Sequence, residues 1–176
     1  CFVLFSELDG GSEYTSALTR FVDATINDRT YTPEGLVFLD TWGSLRHAMN
    51  LAFIANRAAD LGFSTDTYRT WALGQLHYVL GSTGRSFVVG YGDNAPQRPH
   101  HRSSSCPQYP SSCTDSWAQN QEGPNPHVLY GALVGGPDGN DNYVDDRMDY
   151  VQNEVACDYN AAFVGVVAAA VQNSLQ

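Results

Sequence analysis

The chain has 176 residues, 43% hydrophobic and 12% aromatic, with 16% charged side chains and a formal net charge of −10. That is enough apolar material for one domain core or for part of a larger domain. The carboxylate excess repels nucleic-acid phosphates and anionic membrane surfaces, so neither is an expected partner. No run approaches the roughly 20 consecutive apolar residues that span a bilayer.

The opening Cys1-Phe2-Val3-Leu4-Phe5-Ser6-Glu7 lacks an initiator Met and the basic flank of a secretion signal. It reads as the end of a helix, and the chain is expected to begin inside a longer protein. A helical stub is predicted over residues 2–8 and a second helix over 12–27, where Tyr14, Ala17, Leu18, Phe21 and Val22 recur at helical spacing and Thr25 interrupts the stripe. A third, over 44–61, carries Leu45, Ala48, Met49, Ala52, Phe53 and Ala59 on one broad face, with Gly62 as its stop. A fourth begins with Ser64 or Thr65 as N-cap and runs through Tyr68, Trp71, Ala72, Gln75, Leu76 and Val79 to Gly81. Only a short turn separates the third and fourth helices, so they form an antiparallel hairpin.

Residues 84–149 are helix-poor and rich in Gly, Pro, Ser and Asn. Structureless loops longer than about 15 residues in a compact domain are functional or disordered. The aromatic side chains Tyr91, Tyr109, Trp117 and Tyr130 and the paired histidines favour an ordered, functional one. A last helix over 158–172, rich in Ala and Val, is expected to be largely buried. Paired helices carrying long loops describe an all-α scaffold that displays a site at one end.

Two clusters carry chemistry. Residues 143–161 hold five acidic side chains and three tyrosines with a single arginine. Carboxylates crowded beside aromatic rings have pKa values pushed apart, so that one can stay protonated near neutral pH. Aromatic rings among carboxylates also suit a sugar-cleaving cleft, and a polysaccharide is a neutral partner compatible with the charge. The bland reading is a solvated acidic loop ahead of a helix. The second cluster is Pro99-His100-His101-Arg102, preceded by Gly90-Tyr91-Gly92. Imidazole and guanidinium groups offer donors to hydroxyls and to a neighbouring carboxylate, although alone they can simply neutralise local acidic charge. Gly-Tyr-Gly lacks the strand-turn-helix context of a nucleotide site.

Of the four cysteines, Cys106 and Cys113 bracket a Pro/Ser-rich hexapeptide, which suits a local disulfide in an oxidising compartment. Cys1 and Cys157 are expected as free buried thiols. There is no CxxC, and His100 and His101 are adjacent rather than helically spaced, so no metal site is expected.

Together the two clusters resemble the two signature segments of glycoside hydrolase family 9, the cellulases built on an (α/α)6 barrel. Tyr31-Thr32-Pro33-Glu34-Gly35-Leu36, Trp42-Gly43-Ser44-Leu45-Arg46-His47-Ala48-Met49-Asn50 and the segment from His127 to Pro137 are similar to that family as well. The resemblance covers practically the whole chain and is closest to secreted animal endoglucanases. It implies an all-α fold, the C-terminal portion of an (α/α)6 barrel with long site-bearing loops, and inverting hydrolysis of β-1,4-glucosidic bonds in a secreted, extracellular enzyme.

Residue by residue, the resemblance implies Glu154 as general acid, and His100 and Arg102 as the pair that holds the sugar and organises the carboxylates. Asp145 would act in support, and Tyr159 would line the same subsite. Trp42 would be a stacking platform, with Arg46 and His47 on the cleft wall. The partner implied is a β-1,4-glucan or cello-oligosaccharide. No cofactor is implied beyond a structural calcium in the intact enzyme, for which no ligands can be assigned. One departure matters: the Asp-Ala-Gly-Asp type motif that carries the family's general base is absent. Neither Leu8-Asp9-Gly10-Gly11 nor Pro137-Asp138-Gly139-Asn140-Asp141 fits it. Residues 1–176 are therefore expected to be a partial catalytic domain, complemented by the missing N-terminal half. A sugar-binding fragment without activity and a six-hairpin glycosidase for another β-glucan are the competing readings.

Overall fold

A computed structural model describes residues 2–174. The elements in chain order are α1 (Phe2–Leu8), α2 (Ser12–Asp28), α3 (Ser44–Asp60), α4 (Thr65–Leu80), α5 (Arg102–Ser105), α6 (Asp115–Asn120), α7 (Tyr150–Asn153) and α8 (Cys157–Ser174). Among the described residues extended pairing is confined to isolated bridges. None of their helices is long and apolar enough to cross a membrane.

Helix α3 is central and packs against α2, α4 and α8. Its buried face is Leu45, Ala48, Met49, Leu51, Ala52, Ala55, Ala58 and Ala59, and so many small side chains let neighbouring helices approach closely. On α8, Gly165 lies under Phe53, where a Cβ would come within 2.7 Å of the ring; Phe53 thus covers the α3–α8 contact and stays 38% exposed.

The α3–α4 hairpin closes as expected. Phe63 N–H donates to Ala58 O and Gly62 N–H to Ala59 O, a Schellman ending with Gly62 in the left-handed region at φ +90°. Ser64 occupies the N-cap position of α4, but it is itself left-handed and its side chain caps nothing.

The interruption at Thr25 is a buried position. Its hydroxyl donates to Phe21 O at 2.8 Å, which satisfies the polar group inside the helix, and Phe21 turns outward instead. Helix α8 departs from expectation. Tyr159, Ala162, Phe163 and Val166 are buried, whereas Val164 and Val171 are 59% and 55% exposed, because its described partners α3 and α4 lie on one side of it.

The long segment between α4 and α7 is ordered by side chains. Phe87, Val88 and Val89 are buried, and Val88 bridges Leu133. Asp141, at positive φ, accepts from Tyr78 OH and from Glu34 N–H. Gly135 and Gly136 form a wedge between the start of α3 and the segment leading to α8. Leu45 N–H donates to Gly135 O, Ser44 Oγ donates to Pro137 O at 2.8 Å, and Gly136 N–H donates to Gln152 O.

The disulfide joins Cys106 and Cys113 across a Cα separation of 5.5 Å. Cys157 is free but exposed, contrary to the buried thiol expected, because it opens α8 at the surface. Cys1 lies outside the described residues.

Candidate active site

Glu154 follows a single helical turn. Asp149 caps α7 by accepting from the N–H groups of Val151 and Gln152, and the chain leaves the turn at Glu154 in an extended conformation. Two backbone pairings then hold it. His100 N–H donates to Asn153 O at 2.7 Å, in a parallel bridge between His100 and Glu154, and Val155 bridges Val134. Asn153 is fully buried, with its amide donating to Val144 O and its oxygen accepting from Tyr143 OH.

The Glu154 carboxyl is half-buried and asymmetric. Oε2 accepts from Trp42 Nε1–H at 3.1 Å and from Tyr159 OH at 2.9 Å. Among the described residues Oε1 has no hydrogen-bond partner. Trp42 is placed by Asp40, which accepts from its N–H, and by the left-handed Gly43 that opens α3. Tyr159, in the first turn of α8, is buried against Gly43, and the Arg46 guanidinium lies 4.8 Å from its ring centroid. Burial first, then the bond to Glu154 and its charge, push the Tyr159 phenol up to about 12, with Arg46 opposing. Tyr159 is therefore a hydrogen-bond donor throughout the neutral range.

Two further rings join the group. Tyr150 has its centroid 5.2 Å from Trp42 and 6.0 Å from His100, in an edge-on arrangement with the imidazole. His100 Nδ1 lies 2.7 Å from Arg147 O. A carbonyl only accepts, so Nδ1 carries a proton and Nε2 is the position left variable.

The other residues expected at the site are not hydrogen-bond partners of Glu154 among the described residues. Asp145 accepts from the N–H groups of Gln97 and Arg98, at 2.8 and 3.0 Å, so it ties down the approach to His100 rather than meeting Glu154. Arg102 turns toward Asp115 and Cys113 O with its side chain 58% exposed, and is not brought to the Glu154 carboxyl. The disulfide explains this, since it folds 106–113 back so that α6 delivers Asp115 beside α5. Arg46 pairs with Asp158 at 3.0 Å at the edge of the cluster. His47 is half-buried and is not a partner of Glu154; burial first, then Arg46, lower its pKa against the opposing Asp40.

Sequence reasoning did not assign a site role to Tyr150, although it sits four residues before Glu154. It also did not single out Arg147 or Asn125. Both are buried, where a lone arginine in an acidic run and an asparagine in a Pro/Gly loop suggest solvated residues.

The model of glycosyl hydrolase family 9 matches residues 5–167. The chain belongs to that family. It is 48% identical over 150 residues to Endoglucanase A of Bacillus pumilus, covering 81% of this chain and 21% of that protein. Against Endoglucanase B of Cellulomonas fimi the identity is 39% over 186 residues, covering 97% and 17%.

Among solved structures, the endoglucanase of the termite Nasutitermes takasagoensis superposes with a TM-score of 0.95 at 54% identity, over 98% of this chain and 40% of that one. Endoglucanase CelQ of Clostridium thermocellum, complexed with cellotriose, gives 0.84 at 41%, over 97% and 29%. The chain thus spans well under half the length of these family 9 relatives. Its helices are a portion of the family's (α/α)6 barrel.

Proposed function

We propose that this chain supplies the general acid and part of the substrate cleft for inverting hydrolysis of β-1,4-glucosidic bonds in cellulose or a related β-glucan. One observation carries the reading: Glu154 has one oxygen held by two donors and, among the described residues, the other without a partner, beside the exposed rings of Trp42 and Tyr150. An oxygen that accepts two hydrogen bonds has both in-plane lone pairs engaged, so a proton on this carboxyl resides on Oε1. Delivered from Oε1 to the glycosidic oxygen, it lets the C–O bond break with the leaving sugar neutral. Trp42 and Tyr150 offer faces on which a pyranose stacks, and Tyr159 and Trp42 keep the acid aimed. The complexes of relatives with cellotriose, cellotetraose and cellobiose support a cello-oligosaccharide as ligand.

The water attacks the opposite face of the sugar and needs a second carboxylate, about 6.5–9.5 Å from the acid in an inverting pair. The Asp138–Asp141 turn is not a source of it. Asp138 is occupied by the Asn142 side chain first and by the N–H groups of Asn140 and Asn142, which hold its pKa low, and Asp141 is occupied by Tyr78 and Glu34. We assign the base to barrel outside these 176 residues and read the chain as a partial catalytic domain. Proton donation from Glu154 to the glycosidic oxygen and removal of a proton from water by the second carboxylate call on no cofactor, and any calcium would have a structural role. The Cys106–Cys113 disulfide supports secretion.

The test is to let the chain replace the corresponding 40% of the termite endoglucanase, the share it covers there. The hybrid is expected to release reducing sugar from cellulose, and Glu154→Gln to abolish release while cellotetraose still binds by calorimetry. Wild-type turnover in the variant would remove Glu154 from the acid role. Sugar binding with no cleavage by the unmutated hybrid would favour a binding fragment.

A further inference from the structure

Arg147 is 5% exposed, and among the described residues it forms no ion pair. Its guanidinium is satisfied by neutral oxygens instead. Nε donates to Asn125 Oδ1 at 2.7 Å, Nη1 to Gln121 O at 2.6 Å and Nη2 to Gly123 O at 2.8 Å. Burial, then Arg98, lower its pKa against Asp145 and Asp146, but an arginine starts high enough to stay charged. Burying a cation is costly unless every donor is engaged, so this arrangement fixes the three loop acceptors in space.

Asn125 passes the constraint on. Its amide nitrogen donates to Pro99 O at 2.9 Å and to Ser104 Oγ at 2.8 Å, and its backbone N–H donates to Gln97 O. Pro99 is the residue before His100, and Ser104 belongs to α5. On the other side, Arg147 O receives the His100 Nδ1 proton. The circuit therefore closes around His100, with Arg147 and Asn125 holding its backbone from one side and the Arg147 carbonyl holding its ring from the other.

We propose that Arg147 and Asn125 are positioning residues for the sugar-cleaving site, a buried clamp that holds His100 in a single tautomer with Nε2 toward the cleft beside Tyr150 and Glu154. Among the described residues the Arg147 side chain makes no hydrogen bond to Glu154 or His100, and it acts through Asn125 and its own carbonyl. The clamp also anchors the segment at His100 whose N–H pairs with Asn153 O, so the residue preceding Glu154 is tied to the same hub.

The experiment uses the hybrid with the termite endoglucanase, so that the barrel around the chain is whole. Long-range nitrogen–proton correlation spectra of the His100 ring, recorded above the imidazole titration range, report the tautomer directly. The wild type is expected to show only Nδ1–H. Arg147→Met removes all three donors. Asn125→Asp still accepts from Arg147 and forms an ion pair with it, but cannot donate to Pro99 O and Ser104 Oγ; it keeps the test open if Arg147→Met fails to fold.

In either folded variant the tautomer ratio is expected to move about tenfold toward Nε2–H, and cellotetraose affinity to fall about three- to tenfold, the scale of one lost hydrogen bond. A ring signal unchanged in folded Asn125→Asp would overturn the clamp. The inference rests on the functional reading above, yet the ring signal needs no sugar. Failure of the unmutated hybrid to bind cellotetraose would count against that reading, and an unmoved ring against the clamp.

Discussion

The wedge at Gly136 sets where Trp42 and Glu154 meet, and its contribution can be isolated by substitution. Gly136 has φ +107°, and a Cβ added there would collide with Leu45 Cγ and come 2.7 Å from Ser44 Oγ. Leu45 and Ser44 are both fully buried, and Ser44 is held by its bond to Pro137 O, so neither can give way. Gly136→Ala therefore carries a left-handed backbone cost of about 1–2 kcal/mol and an overpacking cost of about 1–3 kcal/mol. Gly35 is the control, with φ +97° and nothing within 4 Å of the place a methyl would occupy, so Gly35→Ala carries the backbone cost alone.

For a chain of 176 residues, each kcal/mol lowers the melting temperature by about 2–4 °C. Thermal unfolding followed by circular dichroism should thus place Gly136→Ala about 2–12 °C below Gly35→Ala. The fall is expected in the upper half of that range, because the colliding atoms are buried. Equal melting temperatures for the two variants would refute the wedge.

Two further outcomes test the site and its surroundings. Tyr159→Phe keeps the packing under Arg46 and removes one of the two donors to Glu154 Oε2; urea denaturation should show a loss of about 1–1.5 kcal/mol, and an unchanged midpoint would dissociate the phenol from the carboxyl. The phenols of Tyr68 and Tyr159 are pushed up to about 12 by burial first, and those of Tyr78 and Tyr143 are raised as well. A raised pKa contributes stability that is complete below the ordinary value near 10 and is lost as pH rises through the folded value. Spectrophotometric titration should show these phenols resisting ionisation above pH 10 until the fold is lost, and one common transition of all ten tyrosines would contradict it.

What could be read from the sequence followed physical periodicity and motif length. Helices α2, α3, α4 and α8 announced themselves because each is at least 16 residues long, enough for an apolar stripe to repeat. Thr25 broke the stripe on paper only, since an in-helix hydrogen bond makes a threonine buriable. Helices α5, α6 and α7 have between four and six residues, too short for any period to register. Glu154, His100, Trp42 and Tyr159 were legible through the family resemblance, and the structure gathers them. Arg102 and Asp145 were legible as members of a motif but not as neighbours. Where a guanidinium points depends on what the disulfide brings to it, and a carboxylate that accepts two backbone N–H groups looks in sequence like any other. Arg147 was hidden for the opposite reason: nothing in an acidic run says that its one cation is buried on carbonyls.

The Glu154 carboxyl is held by contacts from distant parts of the chain, and this ties its position to the packing of the helices. Trp42 reaches Oε2 from the lead-in to α3 and Tyr159 reaches it from the first turn of α8, so the two donors converge only if α3 and α8 keep their spacing. That spacing is set by the Phe53 ring over Gly165 and by the alanine face of α3. The backbone of Glu154 is registered separately, through His100 and Val134. A shift in the α3–α8 contact would therefore move both donors relative to a carboxyl that stays in place, whereas a shift in the 99–104 segment would move the carboxyl relative to donors that stay in place. The free oxygen keeps its aim only while both supports agree, which is why the site sits where the helical layer and the loop layer meet.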